Sequence, residues 1–242
     1  MNAGNRNKKQ NEPAYVLHSY PFRETSLLLD VFSRQHGRLV IMARGARRPR
    51  SALRGLLLGF QPLLLSWFGK GEVHTLHSAE WQGGQPYLQG KALICGFYLN
   101  ELLINLLARD DPHERLFDHY CDTLQKLAHE SNYAATLRCF EKHLLQELGY
   151  ALTLDHEAGK GAPIHPELCY RYAVERGAVL DDGNVKTGLP VQGKTLLDMA
   201  EDVYADATTA LQSKQLMRML LNHQLGGKTL HTRELIKDLH KL

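Results

Sequence analysis

From Val31 to Gly71 the sequence has no Asp or Glu, although that stretch carries Arg34, Arg38, Arg44, Arg47, Arg48, Arg50, Arg54 and Lys70. Like charges packed so densely repel one another, so an external anion is the simplest counterweight, and nucleic acid is the commonest cellular polyanion. The plainer alternative is a solvated basic surface. Cysteine is scarce: Cys95, Cys121, Cys139 and Cys169 lie far apart with no CxxC pair, which argues against a disulfide framework or a zinc knuckle. No apolar run approaches the roughly 20 residues that span a bilayer. The opening "MNAGNRNKKQNEP" lacks the apolar stretch of a secretory signal, so residues 1–12 read as a disordered polar tail and the setting as cytoplasmic. What is present is ordinary core-forming material: 242 residues, 43% hydrophobic and 23% charged. That is enough for one large domain or two small ones.

The first third reads as strands. "AYVLHSY", "SLLLDVFS", "GRLVIMA", "FQPLLLSWFG" and "EVHTLHSAE" are short apolar segments separated by Pro, Gly, Ser and charged residues. "SRQHG" is a turn signal before the third, and "FGKGE" reads as a glycine-rich hairpin between the last two. Between strands three and four, "SALRGLLL" has room for a turn or two of helix. A three-strand meander, a short helix and a closing hairpin is the order of an OB-fold, a small barrel that binds single strands through strands two and three and their loops. The arginines fall on strand three and the loop after it, where Gly45 and Pro49 predict a constrained turn. Trp67 and Trp81 read as barrel and interface packing.

Past Trp81 the period changes to that of helices. Helices are expected over "PYLQGKALICGFYLNELLINLLARDD", over "PHERLFDHYCDTLQKLAHE" with Asp111 as cap and Pro112 in the first turn, and over "NYAATLRCFEKHLLQELGY" up to Gly149. Residues 150–192 break the regularity with short β-like pieces. Helices resume at "KTLLDMAEDVY", "ATTALQSKQLMRMLLNHQL" and "TRELIKDLHKL". The fold class is therefore α+β and multidomain: a barrel over 13–82, then a helical domain over 83–242 with an irregular insertion at about 150–192.

One motif offers a competing function. "GLPVQGKT", Gly188 to Thr195, matches the phosphate-cradling G-x-x-x-x-G-K-[ST] loop of nucleotide hydrolases. That loop needs a buried parallel strand before it and further strands to supply a metal-binding carboxylate; here "LDDGNVKT" precedes it and helices follow. His156, His165 and Cys169 share one segment, but spacings of nine and four lack the pairing of structural zinc sites. No nucleophile elbow or activated cysteine supports a hydrolase.

Several segments also carry a likeness. "RETSLLLDVFS", "GRLVIMARGARRPRS", "FQPLLLSWFGKGEVHTLHSAE", "GFYLNELLINLL" with "DPHERLFDHY", "LRCFEKHLLQELGY" and "LGGKTLHTREL", in that order, resemble the RecO family of bacterial recombination mediators. The resemblance implies an N-terminal OB-fold and a helical C-terminal domain, a cytoplasmic, nucleoid-associated role and no turnover chemistry. It also implies binding of single- and double-stranded DNA, strand annealing, and loading of RecA with RecR onto DNA coated by single-strand-binding protein (SSB). Many relatives carry a four-cysteine zinc site in the insertion; only Cys169 remains here, so the likeness is to a zinc-free branch without metal or other cofactor. On charge and shape together, Arg44, Arg47, Arg48 and Arg50, with Arg34, Arg38 and Lys70 beside them, are expected to meet phosphates. Lys228 and Arg233 either extend that surface or complement helix ends. In the family the helical domain receives the acidic SSB tail. The match here is Arg138, Lys142 and Leu145, which share a helix face at spacings of four and three; the alternative makes Leu145 core and the two cations solvated.

Overall fold

The computed structural model describes residues 8–150, 152–183 and 187–234. The chain divides into two compact units, one of residues 1–130 and 230–242 and the other of residues 131–229. This differs from the boundary at 83 drawn from the change of period, and the reason lies in how two helices attach to the barrel.

In the first unit, β1 (Lys9–Phe22), β2 (Ser26–Ser33), β3 (Gly37–Ala43), β4 (Leu63–Phe68) and β5 (Val73–Trp81) close a barrel in the order β1-β2-β3-β5-β4. All pairings are antiparallel except β3 with β5. Alternation sends Leu29 and Val31, Leu39 and Ile41, and Leu63, Leu65 and Trp67 into one core with Ala14 and Val16. A short helix, α1 (Leu53–Leu56), stands between β3 and β4. The expected five strands and short helix are all present. Residues 9–12, read as tail, instead continue β1, where Lys9 pairs with Trp67 and Glu12 with Leu65; residues 1–7 lie outside the described residues.

Two helices belong to this unit as well, α2 (Gly90–Leu106) and α3 (Glu114–His129). At the bulge between Val16 and His18, the Leu17 carbonyl accepts from Asn100 Nδ2 at 2.8 Å, and Tyr120 Oη donates to Asn100 Oδ1 at 2.6 Å. Around that buried link Tyr15 and Phe32 of the barrel meet Phe117 and Tyr120 of α3, with ring centroids 5.2–6.1 Å apart. α3 starts at Glu114, later than the Asp111 and Pro112 signal. The preceding residues are held against β3: Asp110 N–H donates to Arg38 O, and a Cβ on Gly37 would lie 1.8 Å from Asp111 O. Glu101 on α2 accepts from the backbone N–H groups of His231 and Thr232, which returns the described end of the chain to this unit. The last expected helix is present over 231–234; its remaining residues lie outside the described residues.

The second unit holds α4 (Tyr133–Glu147), a three-stranded antiparallel sheet of β6 (Cys169–Ala173), β7 (Gly177–Leu180) and β8 (Leu189–Gln192), then α5 (Gly193–Ala200) and α6 (Ala207–Gln224). The insertion is thus less irregular than its sequence reads, with Tyr170 and Tyr172 of β6 fully buried. Among the described residues no helix is long and apolar enough to cross a membrane.

Candidate nucleic-acid interface

β2 and β3 pair Leu28 with Met42, while their neighbours Leu29 and Ile41 fill the core. Leu28 and Met42 are therefore placed on the outer face, where Phe22 and Val73 join them to floor an open groove of about 1020 Å³. Arg23, Arg44 and Arg48 line the same groove, together with Glu24. An apolar floor edged by guanidinium groups can take the bases and the phosphates of a single strand at once.

The loop after β3 is a built structure. Gly45 takes φ +68, a left-handed conformation that favours glycine, and its carbonyl accepts from Arg48 N–H at 3.1 Å. Ala46 is buried in the barrel core, and Arg47 N–H donates to Thr25 O at 2.8 Å, tying the loop to the β1–β2 turn. These anchors leave Arg44, Arg47, Arg48 and Arg50 exposed. Among the described residues none of the four forms an ion pair; Arg47 Nη1 donates only to Arg23 O, at 3.2 Å. Lys70 is exposed in the β4–β5 turn, between Gly69 and Gly71 at φ +130 and +101. That turn leads into Val73 at the groove.

Arg23 was missed in the sequence. It lies outside the acid-free stretch and beside Glu24, so counting charge passes over it. Its guanidinium sits 5.2 Å from the Phe22 ring centroid. The available signal was topological, since the loop between strands one and two is a ligand-binding loop of OB barrels.

Arg34 and Arg38 are employed differently from expectation. Arg34 donates from Nε and Nη2 to Asp118 at 3.0 Å each and from Nη1 to Glu114 at 2.7 Å. Those hydrogen bonds hold the Asp118 carboxyl below its ordinary range. Arg38 donates to Asp30 Oδ1 at 2.9 Å. The acids missing from the stretch are thus supplied from outside it, and both charges are already balanced. Arg233 Nη2 donates to Tyr98 Oη at 3.2 Å and its guanidinium lies over that ring, attaching the chain end to α2. Lys228, in the second unit, is exposed after α6.

The α4 triplet also has to be corrected. Arg138, Lys142 and Leu145 do share a face, but that face points inward. Leu145 is 1% exposed. Lys142 Nζ donates to the carbonyls of Met199 and Ala200 at 3.0 and 3.1 Å, closing the C-terminus of α5, and pairs with Asp202 at 2.7 Å. Arg138 pairs with buried Glu141. Three side chains serving the interior of the unit cannot rim an exposed pocket.

The Gly188–Thr195 motif makes no phosphate cradle. It forms β8, a strand of an antiparallel sheet, and the start of α5. The Gly193 and Lys194 N–H groups donate to Leu168 O and Pro166 O at 2.8 and 3.0 Å. Lys194 Nζ is paired with Asp198, and Thr195 Oγ1 donates to Gln212 Oε1. The groups that would hold a phosphate already have protein partners. His156 sits on Asp155 at 2.9 Å, and Cys169 is exposed. Among the described residues no three His, Cys, Asp or Glu side chains gather as a metal site requires.

Two family models match in succession: Recombination protein O N terminal over residues 8–84, and Recombination protein O C terminal over residues 88–234. The DNA repair protein RecO of Nitrosospira multiformis is 57% identical over 236 residues, covering 97% of this chain and 98% of that relative. Its counterpart in Dechloromonas aromatica is 55% identical over 241 residues, covering 98% and 99%. A third, from Thiobacillus denitrificans, is 53% identical over 241 residues, covering 96% and 93%. With the closed barrel, the helices after it and likeness over nearly the whole length, the chain belongs to the RecO family of DNA repair and recombination proteins.

Proposed function

We propose that this chain is a non-enzymatic recombination mediator. It binds single- and double-stranded DNA on the barrel, anneals complementary strands and, with RecR, loads RecA onto SSB-coated single strands at the nucleoid in the cytoplasm. The observation that carries this reading is the set of exposed arginines after β3, Arg44, Arg47, Arg48 and Arg50, which form no ion pair among the described residues and of which Arg44 and Arg48 line the apolar groove. Arg44 and Arg48 border the groove floor, so phosphates meet guanidinium groups while bases lie over Phe22, Leu28 and Met42. Arg23 and Lys70 extend the cationic edge, and Lys228 adds a further exposed charge on the other unit. Annealing needs no reacting side chain. Cations reduce the repulsion between two strands, counterion release drives binding, and base pairing supplies the sequence match. For SSB-coated DNA, the residues that meet SSB lie elsewhere than the buried α4 triplet.

The test is annealing of two complementary oligonucleotides without nucleotide, over a salt series. Wild type accelerates annealing, and its affinity falls steeply as salt rises. Arg44→Glu together with Arg48→Glu removes two phosphate contacts, lowering affinity roughly fifty-fold near 0.1 M salt. Unchanged affinity and annealing in that variant would sink the assignment to this groove.

A further inference from the structure

A second groove lies on the first unit, lined by Gly55, Leu56, Leu58, Gln61, Trp81 and Tyr87, and none of its lining residues is acidic. Two large aromatic side chains stand open in it, Trp81 at 57% and Tyr87 at 65% exposure. The indole does not hang free: Trp81 Nε1 donates to Gln61 Oε1 at 3.1 Å. An indole N–H can only donate, so Gln61 must turn its oxygen toward it and its amide nitrogen elsewhere. Gln61 is 2% exposed, and its Nε2 has no hydrogen-bond partner. The groove thus combines a pinned indole and a second open ring.

Its position narrows the occupant. The chain from Arg44 to Leu58 walls both grooves, with Arg44 and Arg48 lining the first and Leu56 and Leu58 the second. Arg48 and Ala52, another lining residue of the second groove, are four residues apart, at most about 14 Å along an extended chain. Exposed Arg50 and Arg54 lie on the same connecting segment, and among the described residues neither forms an ion pair. Open rings and nearby cations match a single strand, which stacks bases on aromatic faces and runs its phosphates past basic residues. A protein partner would use the rings but has less use for the arginines.

We propose that the Trp81–Tyr87 groove is a second single-strand subsite, holding the complementary strand while the first strand occupies the groove at Arg44 and Arg48. This rests on the barrel being the DNA-binding unit, and it explains how two strands are presented to each other across one loop.

The sequence supplies its own reporter, because the chain has two tryptophans and only Trp81 is open, Trp67 being 2% exposed. Saturating wild type with oligodeoxythymidine quenches tryptophan emission, and Trp81→Phe removes the quench because only buried Trp67 is left to emit. Trp81→Ala and Tyr87→Ala each slow annealing about tenfold, the scale of one lost base stack, with thermal unfolding as the check that each variant folds. Wild-type DNA binding and annealing without a quench would overturn this subsite and leave the first groove standing. So would alanine variants that anneal like wild type, the outcome if the face takes a protein. Wild type that binds no DNA at all overturns the reading of the barrel and this proposal with it.

Discussion

In the loop after β3, Arg44, Arg47, Arg48 and Arg50 stand exposed without a carboxylate partner among the described residues. In α4, Arg138 and Lys142 are sunk against Glu141 and Asp202. Both regions set cations close to leucines. What separates them is the backbone that carries them. The loop is anchored through Gly45, Ala46 and the Arg47 N–H, and its main chain satisfies itself while the side chains point to water. α4 lies over the end of α5, where Lys142 Nζ adds a donor to the Met199 and Ala200 carbonyls. A cation is available to a ligand only where the fold has not already given it a partner.

The widest way to test that contrast is Lys142→Ala. It takes the side-chain donor from the Met199 and Ala200 carbonyls and the ion-pair partner from Asp202, and it is expected to destabilise the protein by about 2–3 kcal/mol. Urea unfolding measures this. DNA affinity of the folded variant stays at the wild-type value, and a variant as stable as wild type would mean that Lys142 is no interior strut. The next effect separates arginines of the barrel itself. Arg48→Ala lowers the slope of log affinity against log salt by about 0.7 for single strands, the value of one released phosphate contact. Arg34→Ala leaves that slope unchanged, because Arg34 is held by Glu114 and Asp118. If the two variants change the slope equally, the paired and unpaired arginines are not distinguished by DNA.

Much of the barrel was legible because its signals are local. Alternation in "SLLLDVFS" and "GRLVIMA" gives the inward faces, and Gly37, Gly69 and Gly71 sit where positive φ is needed. The groove was legible in its charge, since Arg44 and Arg48 fall beside it. What the sequence hid was every partnership across long separations. Arg34 meets acids 80 and 84 residues away, and Lys142 meets carbonyls 57 and 58 residues away. Charge counted in a window cannot register either. The polar start of β1 escaped because its residues read as tail, yet Lys9 and Glu12 pair with Trp67 and Leu65 of β4, and Asn11 N–H donates to Ser66 Oγ. That α2 packs with the barrel was hidden in Asn100, a polar residue on an apolar helix that donates to Leu17 O.

The smallest effect tests the same distinction through acid. Arg34 holds the Asp118 carboxyl below the usual value near 4, so the unfolded chain takes up that proton first as pH falls. The stability this pair contributes is complete above about pH 4 and is lost as pH drops through the lower folded-state value. Both side chains are partly open, 36% for Arg34 and 56% for Asp118, so solvent and salt screen the interaction and its contribution is small. Urea midpoints of wild type and Arg34→Ala should therefore differ at neutral pH and converge below about pH 4. Wild type and Arg48→Ala should keep whatever separation they have across that range, because no carboxylate is paired with Arg48 among the described residues. A gap for Arg34→Ala that stays constant into acid would mean the ion pair contributes nothing, and Arg34 would return to the set of arginines open to phosphate.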